Sequence, residues 1–347
     1  MAQVRGARVE FLADYTGFLL KVVTVVVAVL VILASAATLR NKGRRQTGQL
    51  QVRKLNEFFD DLQLRVEQTV LDKAQLKASR KARSKADKLA RKSGRHKPRV
   101  FVIDFDGDIK ASQVDNLRHE VTAVLAIATP ADEVVIRLES SGGMVHGYGL
   151  AASQLARVRQ AGIPLTVCVD KVAASGGYMM ACIGNRILSA PFAILGSIGV
   201  VAQLPNMHRL LKKHNIDFEV LTAGEYKRTL TVFGENTDKG REKFQQDLEL
   251  THELFKEFVA RFRPQLAIAE VATGEVWLGQ AALGRQLVDE LMTSDEYLAG
   301  KARDAELFHL HYAQRKTLPE RMGMAAALAA DRVLLNGWDR LTQQRFW

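Results

Sequence analysis

Three side chains, Ser175, Ser197 and Lys227, are of the types needed for acyl-transfer chemistry: a hydroxyl nucleophile, a second hydroxyl and an amine. Ser175 lies in the stretch Val167–Tyr178, where a short apolar run ends. Gly176 and Gly177 follow it, and then a periodic apolar segment. A serine at a strand-to-helix junction can present its hydroxyl at a sharp turn. The free N–H groups at the start of the helix are then placed to hold a developing oxyanion. No Ser-His-Asp pattern accompanies it, the eight histidines are scattered, and no metal-ligand spacing is present. The proton acceptor must therefore be sought elsewhere. Lys227, in Gly224-Glu225-Tyr226-Lys227, follows the apolar run Phe218–Leu221. A free lysine ammonium titrates near 10.4, so a lysine acts as a base only where burial disfavours its charge. Ser197, in Leu195-Gly196-Ser197-Ile198-Gly199, can orient such an amine by a hydrogen bond.

The elements that must position these residues are legible after Pro98. Apolar runs at Val100–Phe105, Val134–Leu138, Leu165–Val169, Ile187–Ser189, Ile198–Val201 and Phe218–Leu221 read as strands. Helical stretches alternate with the first of these, reaching to about Ala128, to about Ala161 and onward from Ser175. Strand and helix in alternation predict right-handed crossovers and a largely parallel, buried sheet. Residues 241–264 read as a long amphipathic helix. Phe244, Leu248, Thr251, Phe255, Phe258 and Phe262 recur as a packing face, and Pro264 ends it. Residues 274–291 read as a helix packed under the sheet.

With 347 residues and 47% hydrophobic content, the chain has room for a substantial core and for accessory segments. Its net charge of +11 is concentrated in residues 40–99, which hold 19 Lys/Arg against 6 Asp/Glu. The basic character thus belongs to one arm. Its Lys77–Lys97 part lacks interleaved aromatic residues, which argues against nucleic acid as its partner. Its first part, residues 50–75, has helical apolar spacing; from Lys77 to Lys97 it reads as a solvated tether or a segment attracted to anionic lipid headgroups. Cys168 and Cys182 sit in apolar runs and read as buried hydrophobes, not as a disulfide framework.

Residues 17–39 are almost wholly apolar, with Lys21 the one charge. As a helix, Val22–Leu39 would span about 27 Å, close to the hydrocarbon thickness of a bilayer. A cleaved signal peptide is the rival reading, with Ala34-Ser35-Ala36 as the cleavage region. The dense positive charge that follows, from Arg40 to Arg45, favours a retained anchor. It also places the bulk of the protein on the cytoplasmic side by the positive-inside rule.

Ala174-Ser175-Gly176-Gly177-Tyr178, Gly196-Ser197-Ile198-Gly199-Val200 and Gly224-Glu225-Tyr226-Lys227, in that order, resemble the signal-peptide-peptidase A family of serine–lysine peptidases. Glu139–Tyr148 and Pro191-Phe192-Ala193 extend the resemblance, which spans essentially the whole chain. It implies an α/β fold of the crotonase-like (ClpP/crotonase) type with a largely parallel sheet, preceded by a transmembrane helix and a basic helical arm. The implied boundaries are a tail at 1–16, a membrane helix at 17–39, the arm at 40–97, the peptidase domain at 98–300 and an extension at 301–347. In that extension Met324–Leu335 reads as a short packing or oligomer-contact helix. By the resemblance Ser175 is the nucleophile, Lys227 the general base and Ser197 the residue that positions it. Backbone N–H groups of Gly142, Gly143 and Gly176 form the oxyanion hole. No cofactor or metal is implied.

The family commonly has Ser-Pro-Gly-Gly where this chain has Ser140-Ser141-Gly142-Gly143, which removes a fixed φ from the turn. The implied partners are short apolar peptides such as remnant signal peptides, inner-membrane lipid and further copies of the chain in a ring. The implied location is the bacterial inner membrane. Two other readings share the fold or the anchor: a crotonase-type acyl-CoA enzyme using the Gly142-Gly143 turn, and a membrane scaffold with a vestigial site. The first has no need of a serine–lysine pair. The second predicts no covalent labelling of Ser175.

Overall fold

The computed structural model describes Val22, residues 48–92 and residues 97–313. Apart from Val22, the apolar stretch 17–39 lies outside the described residues, as does the apolar segment Met324–Leu335. Among the described residues, no helix is long and apolar enough to cross a membrane.

The basic arm opens with β1 (Gln49–Lys54), then α1 (Leu55–Val70) and α2 (Lys73–Lys92). The segment from Lys77, read as a tether for want of apolar residues, is helical to Lys92. Composition explains this, because Ala, Lys and Arg are the strongest helix formers and α2 consists largely of them. Asp72 caps α2 by accepting the Ala74 and Gln75 N–H groups, each at 2.8 Å. The two helices are tied through Glu67, which accepts from Ser79 Oγ at 3.0 Å and pairs with Arg83 at 3.5 Å.

The α/β unit continues with β2 (Arg99–Gly107), α3 (Val114–Leu125), β3 (Glu133–Ser140), α4 (Val145–Gln160) and β4 (Leu165–Val169). Next come β5 (Val172–Ala174), α5 (Gly176–Ala181), β6 (Arg186–Ser189), β7 (Ile194–Gly196), α6 (His208–Lys213) and α7 (Asp238–Phe262). The described part closes with α8 (Ile268–Val271), β8 (Val276–Leu278), α9 (Gly279–Gly284), β9 (Glu290–Leu291), α10 (Ser294–Lys301) and β10 (Glu306–Ala313). The main sheet has the order β1-β10-β2-β3-β4-β6-β9. Every pairing from β10 to β9 is parallel.

At β3 the sheet forks. Residues Val134–Arg137 pair with β4, whereas Ser140 at the strand's end pairs with Ala173 of β5. From β5 a second arm runs through parallel β7 to antiparallel β8. The fork brings the end of β3 beside the end of β5, so Ser140–Gly143 and Ser175 become neighbours.

The central strands are buried on both faces, which is why they read as continuous apolar runs. Phe101, Ile103 and Phe105 pack with Leu117, Val121 and Leu155 on one side. On the other, Val100, Val102 and Leu188 pack with Tyr297 and Leu298 of α10, flanked by Leu55 and Phe59 of α1. Cys168 and Cys182 are buried and free. Burial pushes the Cys168 thiol up to about 12 and moves the Cys182 thiol in the same direction, so both stay protonated and inert.

Three expectations differ from what folds. The strand expected at Ile198–Val201 forms four residues earlier, at β7. Gly196 and Ser197 adopt φ of 95° and 51°, which ends the extended run. Phe218–Leu221 forms no strand; its apolar side chains are partly exposed and no described strand pairs with them. Residues 274–291 form β8, α9 and β9 instead of one helix, because Leu195 and Trp277 pair across β7 and β8. Beyond residue 300, β10 lies inside the sheet beside β2.

The end of α7 is locked to the sheet by an ion pair whose guanidinium is buried. Arg263 is 2% exposed and makes two hydrogen bonds to Asp289, both 2.8 Å. Asp289 also accepts the Ile187 N–H at 2.7 Å. Asp289→Ala leaves a buried guanidinium without its counter-ion and is expected to cost about 3–5 kcal/mol of stability. Urea unfolding followed by far-ultraviolet circular dichroism reads this loss. A loss below about 1 kcal/mol would show that the pair is dispensable to the fold.

Candidate active site

Ser175 occupies the junction between β5 and α5 with φ 51° and ψ −118°. A residue with a side chain holds positive φ only when its surroundings impose it, at about 1–3 kcal/mol of local strain. Here the constraint is the fork. The Ser175 N–H donates to the Gly196 carbonyl at 2.8 Å, fixing the turn against the end of β7. The Ser175 side chain makes no capping hydrogen bond to α5, although serine is a favoured cap. Its hydroxyl is therefore free of the structural duty that a Ser-Gly-Gly helix start usually assigns to it.

Around the serine the backbone comes unusually close. Gly142 has φ 91°, and a Cβ there would sit 2.7 Å from the Ser175 Cβ. A Cβ on Gly176 would meet the Tyr148 ring at 2.4 Å. These two positions exclude side chains, and the first also excludes ordinary backbone angles. The Ser140–Gly143 turn and the start of α5 are thus packed directly against one another.

A buried hydrogen-bond chain sets this turn. The Gly142 N–H donates to Ser140 Oγ at 3.1 Å, Ser140 Oγ lies 2.5 Å from the Tyr148 hydroxyl, and that hydroxyl donates to the Asp108 carbonyl at 2.8 Å. Tyr148 has one hydroxyl proton and gives it to Asp108, so Ser140 donates to Tyr148. Burial raises the Tyr148 phenol above its usual range. The chain changes the expectation for the three glycines: the Gly142 N–H is engaged by Ser140, so its contribution is the shape of the turn. Among the described residues, the Gly143 and Gly176 N–H groups have no acceptor. Ser140 and Tyr148 escaped the sequence reading because their value lies in mutual contact. The one available signal was Tyr148, a large polar aromatic on an otherwise apolar helix face.

A cavity of about 460 Å³ opens beside Ser175, lined by Gly143, Tyr148, Gly176, Met179, Val200 and Leu254, among others. Thr251, Phe255 and Phe258 of α7 also line it. The α7 stripe, read from sequence as a packing face, therefore forms part of the cavity wall as well. A larger cavity of about 910 Å³ lies at the opposite ends of the strands, near Arg99, Glu133 and Thr166. It is lined by no serine, cysteine or histidine, and its Arg99 and Lys301 are paired with Asp132 and Glu133. The smaller cavity, whose lining includes no charged residue, is the one with Ser175 at its edge.

Ser197 and Lys227 are placed differently from each other. Ser197 follows Gly196, the residue that holds the Ser175 N–H, and its own N–H donates to the Glu275 carbonyl at 2.6 Å. His252 of α7 anchors the same turn, with its Nε2 3.2 Å from the Ile198 carbonyl. Lys227 is exposed; its N–H donates to Gly224, and it lines a different cavity with Leu204, Phe218 and Leu221. Within one chain, no hydrogen bond or shared cavity joins Lys227 to Ser175 among the described residues. The structure thus gathers Ser175, Gly142, Gly143 and Gly176, sets Ser197 one turn away, and leaves Lys227 on a separate exposed segment.

Comparison with known proteins accords with this geometry. Residues 10–155 match the model described as peptidase family S49 N-terminal, and residues 157–307 match that described as peptidase family S49. The probable protease SohB of Haemophilus influenzae is 48% identical over 94% of this chain and 96% of its own length. The probable protease SohB of Buchnera aphidicola subsp. Schlechtendalia chinensis is 44% identical over 84% of this chain and all of its own. Among solved structures, a membrane-bound stomatin-specific protease in complex with a substrate peptide aligns with a TM-score of 0.39 at 14% identity. The alignment covers 65% of this chain and 96% of that one. The strained serine with its free hydroxyl, the glycine turn beside it and the two matches spanning both sides of the site agree: this chain belongs to the serine peptidases of family S49, and is similar to SohB.

Proposed function

We propose that this chain is a membrane-anchored serine endopeptidase in which Ser175 and Lys227 form a catalytic dyad on a crotonase-like fold. The observation that carries the reading is Ser175 itself. It combines a strained φ of 51°, an uncapped hydroxyl and a position beside two unengaged N–H groups at the edge of an apolar cavity. The Lys227 amine accepts the Ser175 proton as Oγ attacks the substrate carbonyl. The resulting oxyanion is held by the Gly143 and Gly176 N–H groups, and the ammonium then protonates the leaving amine. Water, deprotonated by the same amine, hydrolyses the acyl-enzyme and regenerates the serine. Ser197 orients the amine.

The cavity walls, Tyr148, Met179, Phe255 and Phe258 among them, favour a short peptide with an apolar side chain next to the scissile bond. Remnant signal peptides fit that chemistry. Residues 17–39 hold the protein in the bacterial inner membrane, with the domain on the cytoplasmic side. The segment that carries Lys227 supports the ring reading. It leaves Val201 80% and Leu221 91% exposed, more apolar surface than an isolated chain would be expected to leave in water. Packing of that segment in an assembly of copies buries it and brings an amine to each serine.

Ser175→Ala is expected to abolish turnover of a fluorogenic apolar peptide while the circular dichroism spectrum stays unchanged. Activity within about tenfold of the parent would remove Ser175 from the mechanism. Lys227→Arg keeps the positive charge, but a guanidinium cannot deprotonate at working pH, so its rate should fall close to that of Ser175→Ala. An arginine variant that retains most of the parent rate would show that another group is the base.

The Ser140–Tyr148 link makes a separate expectation. Tyr148→Phe keeps the ring that lines the cavity but removes the hydroxyl that fixes the Gly142–Gly143 turn. It should lower kcat by about 3- to 30-fold with KM changed less than about twofold, because a misplaced oxyanion donor is felt in the transition state. Steady-state kinetics on one peptide separate the two constants. An unchanged kcat would mean that the turn is held without this chain.

A further inference from the structure

The α1–α2 hairpin presents two surfaces that the peptidase reading does not use. On α2, Lys73, Lys77, Arg80, Lys81, Lys85 and Lys88 are all exposed, and none has an acidic partner among the described residues. At 3.6 residues per turn these six positions fall within an arc of about 140°. Leu76, Ser79 and Arg83, the half-buried positions, lie on the other side, where Ser79 and Arg83 contact Glu67 of α1. The cations therefore form one face, directed away from α1. On α1, Phe58, Leu62, Val66 and Val70 recur at every fourth residue and are 48–72% exposed. The acidic Glu57, Asp60 and Asp61 lie in the half of α1 away from the α1–α2 turn. Between Val66 and Lys73 the acidic residues are Glu67, which pairs with Arg83, and Asp72, which caps α2.

We infer that this hairpin is a docking surface for an anionic phospholipid bilayer, with the α2 cations on the headgroups and the α1 stripe in the interface. A cationic face on one helix and an exposed apolar stripe on the helix joined to it are the two features that interfacial segments bring to anionic membranes. A nucleic acid would satisfy the cations, but it offers nothing to the apolar stripe, and α2 has no aromatic side chains for stacking. Chain length is compatible with a membrane partner. Nine residues separate Leu39 from Gln49, at most about 32 Å of extended chain, so an anchor ending at Leu39 keeps the hairpin near the bilayer.

The hairpin is not a loose appendage. The Asn56 side chain of α1 donates to the Ala302 and Ala305 carbonyls at 3.0 and 2.9 Å, and accepts the Leu307 N–H at 2.8 Å. A bilayer that holds the hairpin thereby sets the orientation of the sheet, and with it the mouth of the Ser175 cavity. This inference concerns a second membrane contact and stands whether or not Lys227 is the catalytic base.

Cys168 and Cys182 are buried, so a cysteine placed at Ala74, which is exposed within the cationic arc, takes a fluorophore at one site. The full-length Ala74→Cys chain is reconstituted into vesicles of phosphatidylcholine alone, or with about a third phosphatidylglycerol, and recovered by flotation. Flotation with the neutral vesicles reads the apolar segment 17–39. Quenching of the label by aqueous acrylamide reads the hairpin. Quenching should be at least about threefold weaker on anionic than on neutral vesicles, and the difference should vanish in about 1 M salt. Replacing all six cations by Gln, which keeps helix propensity, should remove the protection, while replacing the five lysines by Arg should keep it.

Equal quenching on the two vesicle types overturns the proposal, and so does protection that survives the six Gln substitutions or a chain that floats with neither vesicle. Protection by duplex DNA or RNA but not by anionic vesicles would make the face a nucleic-acid surface and refute the lipid assignment. Loss of the peptidase activity of Lys227→Arg, or its retention, leaves this readout untouched, so the two readings fail separately.

Discussion

The positive φ of Ser175 is the constraint on which the site depends. A serine would relax out of that conformation in an isolated peptide, so the surrounding structure has to hold it. The fork of the sheet does so: β3 gives its first part to β4 and its last residue to β5, and β5 in turn pairs with β7. Through that branch the Ser175 N–H reaches the Gly196 carbonyl, and the Ser140–Gly143 turn is brought against the start of α5. Strain at the nucleophile is thus maintained by strand pairing, a source of rigidity that does not use the serine side chain. The hydroxyl remains available because the fold never asks it to cap the helix.

The same economy of contact explains the glycine turn. With Ser141 where a proline would set φ, the turn needs another restraint, and the Ser140–Tyr148–Asp108 chain supplies one from buried hydrogen bonds. In a water-free interior such bonds hold geometry firmly, because breaking one strands a polar group without a partner. The chain also divides the work of the neighbouring amides: one is tied down to hold the turn, and two are left to face the cavity. Tyr148 links both halves of the site, since its ring packs on Gly176 and lines the cavity while its hydroxyl fixes the turn.

The structure also separates a part packed on all sides from segments that keep apolar side chains exposed. From β2 to α5 the unit is packed on both sheet faces, and Ser175, Gly143 and Gly176 belong to that part. The segment from Val201 to Phe233 keeps many of its apolar side chains in water, and Lys227 rides on it. The α1–α2 hairpin likewise combines a firm attachment through Asn56 with surfaces that stay exposed among the described residues. The surfaces left uncovered lie around the site and at the arm, the two places where the proposed assembly and the proposed bilayer would act.

The amino-acid sequence by itself determined the alternation of strand and helix, because strands buried on both faces must be largely apolar and the runs at residues 100–105, 134–138 and 165–169 are, with Asp104, Arg137 and Thr166 as the exceptions. It also marked Ser175 and its glycines as a tight turn, since positions that exclude a side chain, as Gly142 and Gly176 do, have to be glycine. It contained the helix of α2 as well, in intrinsic propensity, a signal masked when hydrophobic spacing alone is read. The short strands β5, β7, β8 and β9 were not legible, because two or three residues carry no periodicity and are strands only by virtue of their neighbours. The roles of Ser140, Tyr148 and His252 were decided by tertiary structure for the same reason: Tyr148 and His252 act on the distant Asp108 and Ile198 carbonyls, and Ser140 meets the Tyr148 hydroxyl. Which amides face the cavity, and where Lys227 stands, likewise depend on hydrogen bonds and packing between residues far apart in sequence, which no local pattern of side chains records.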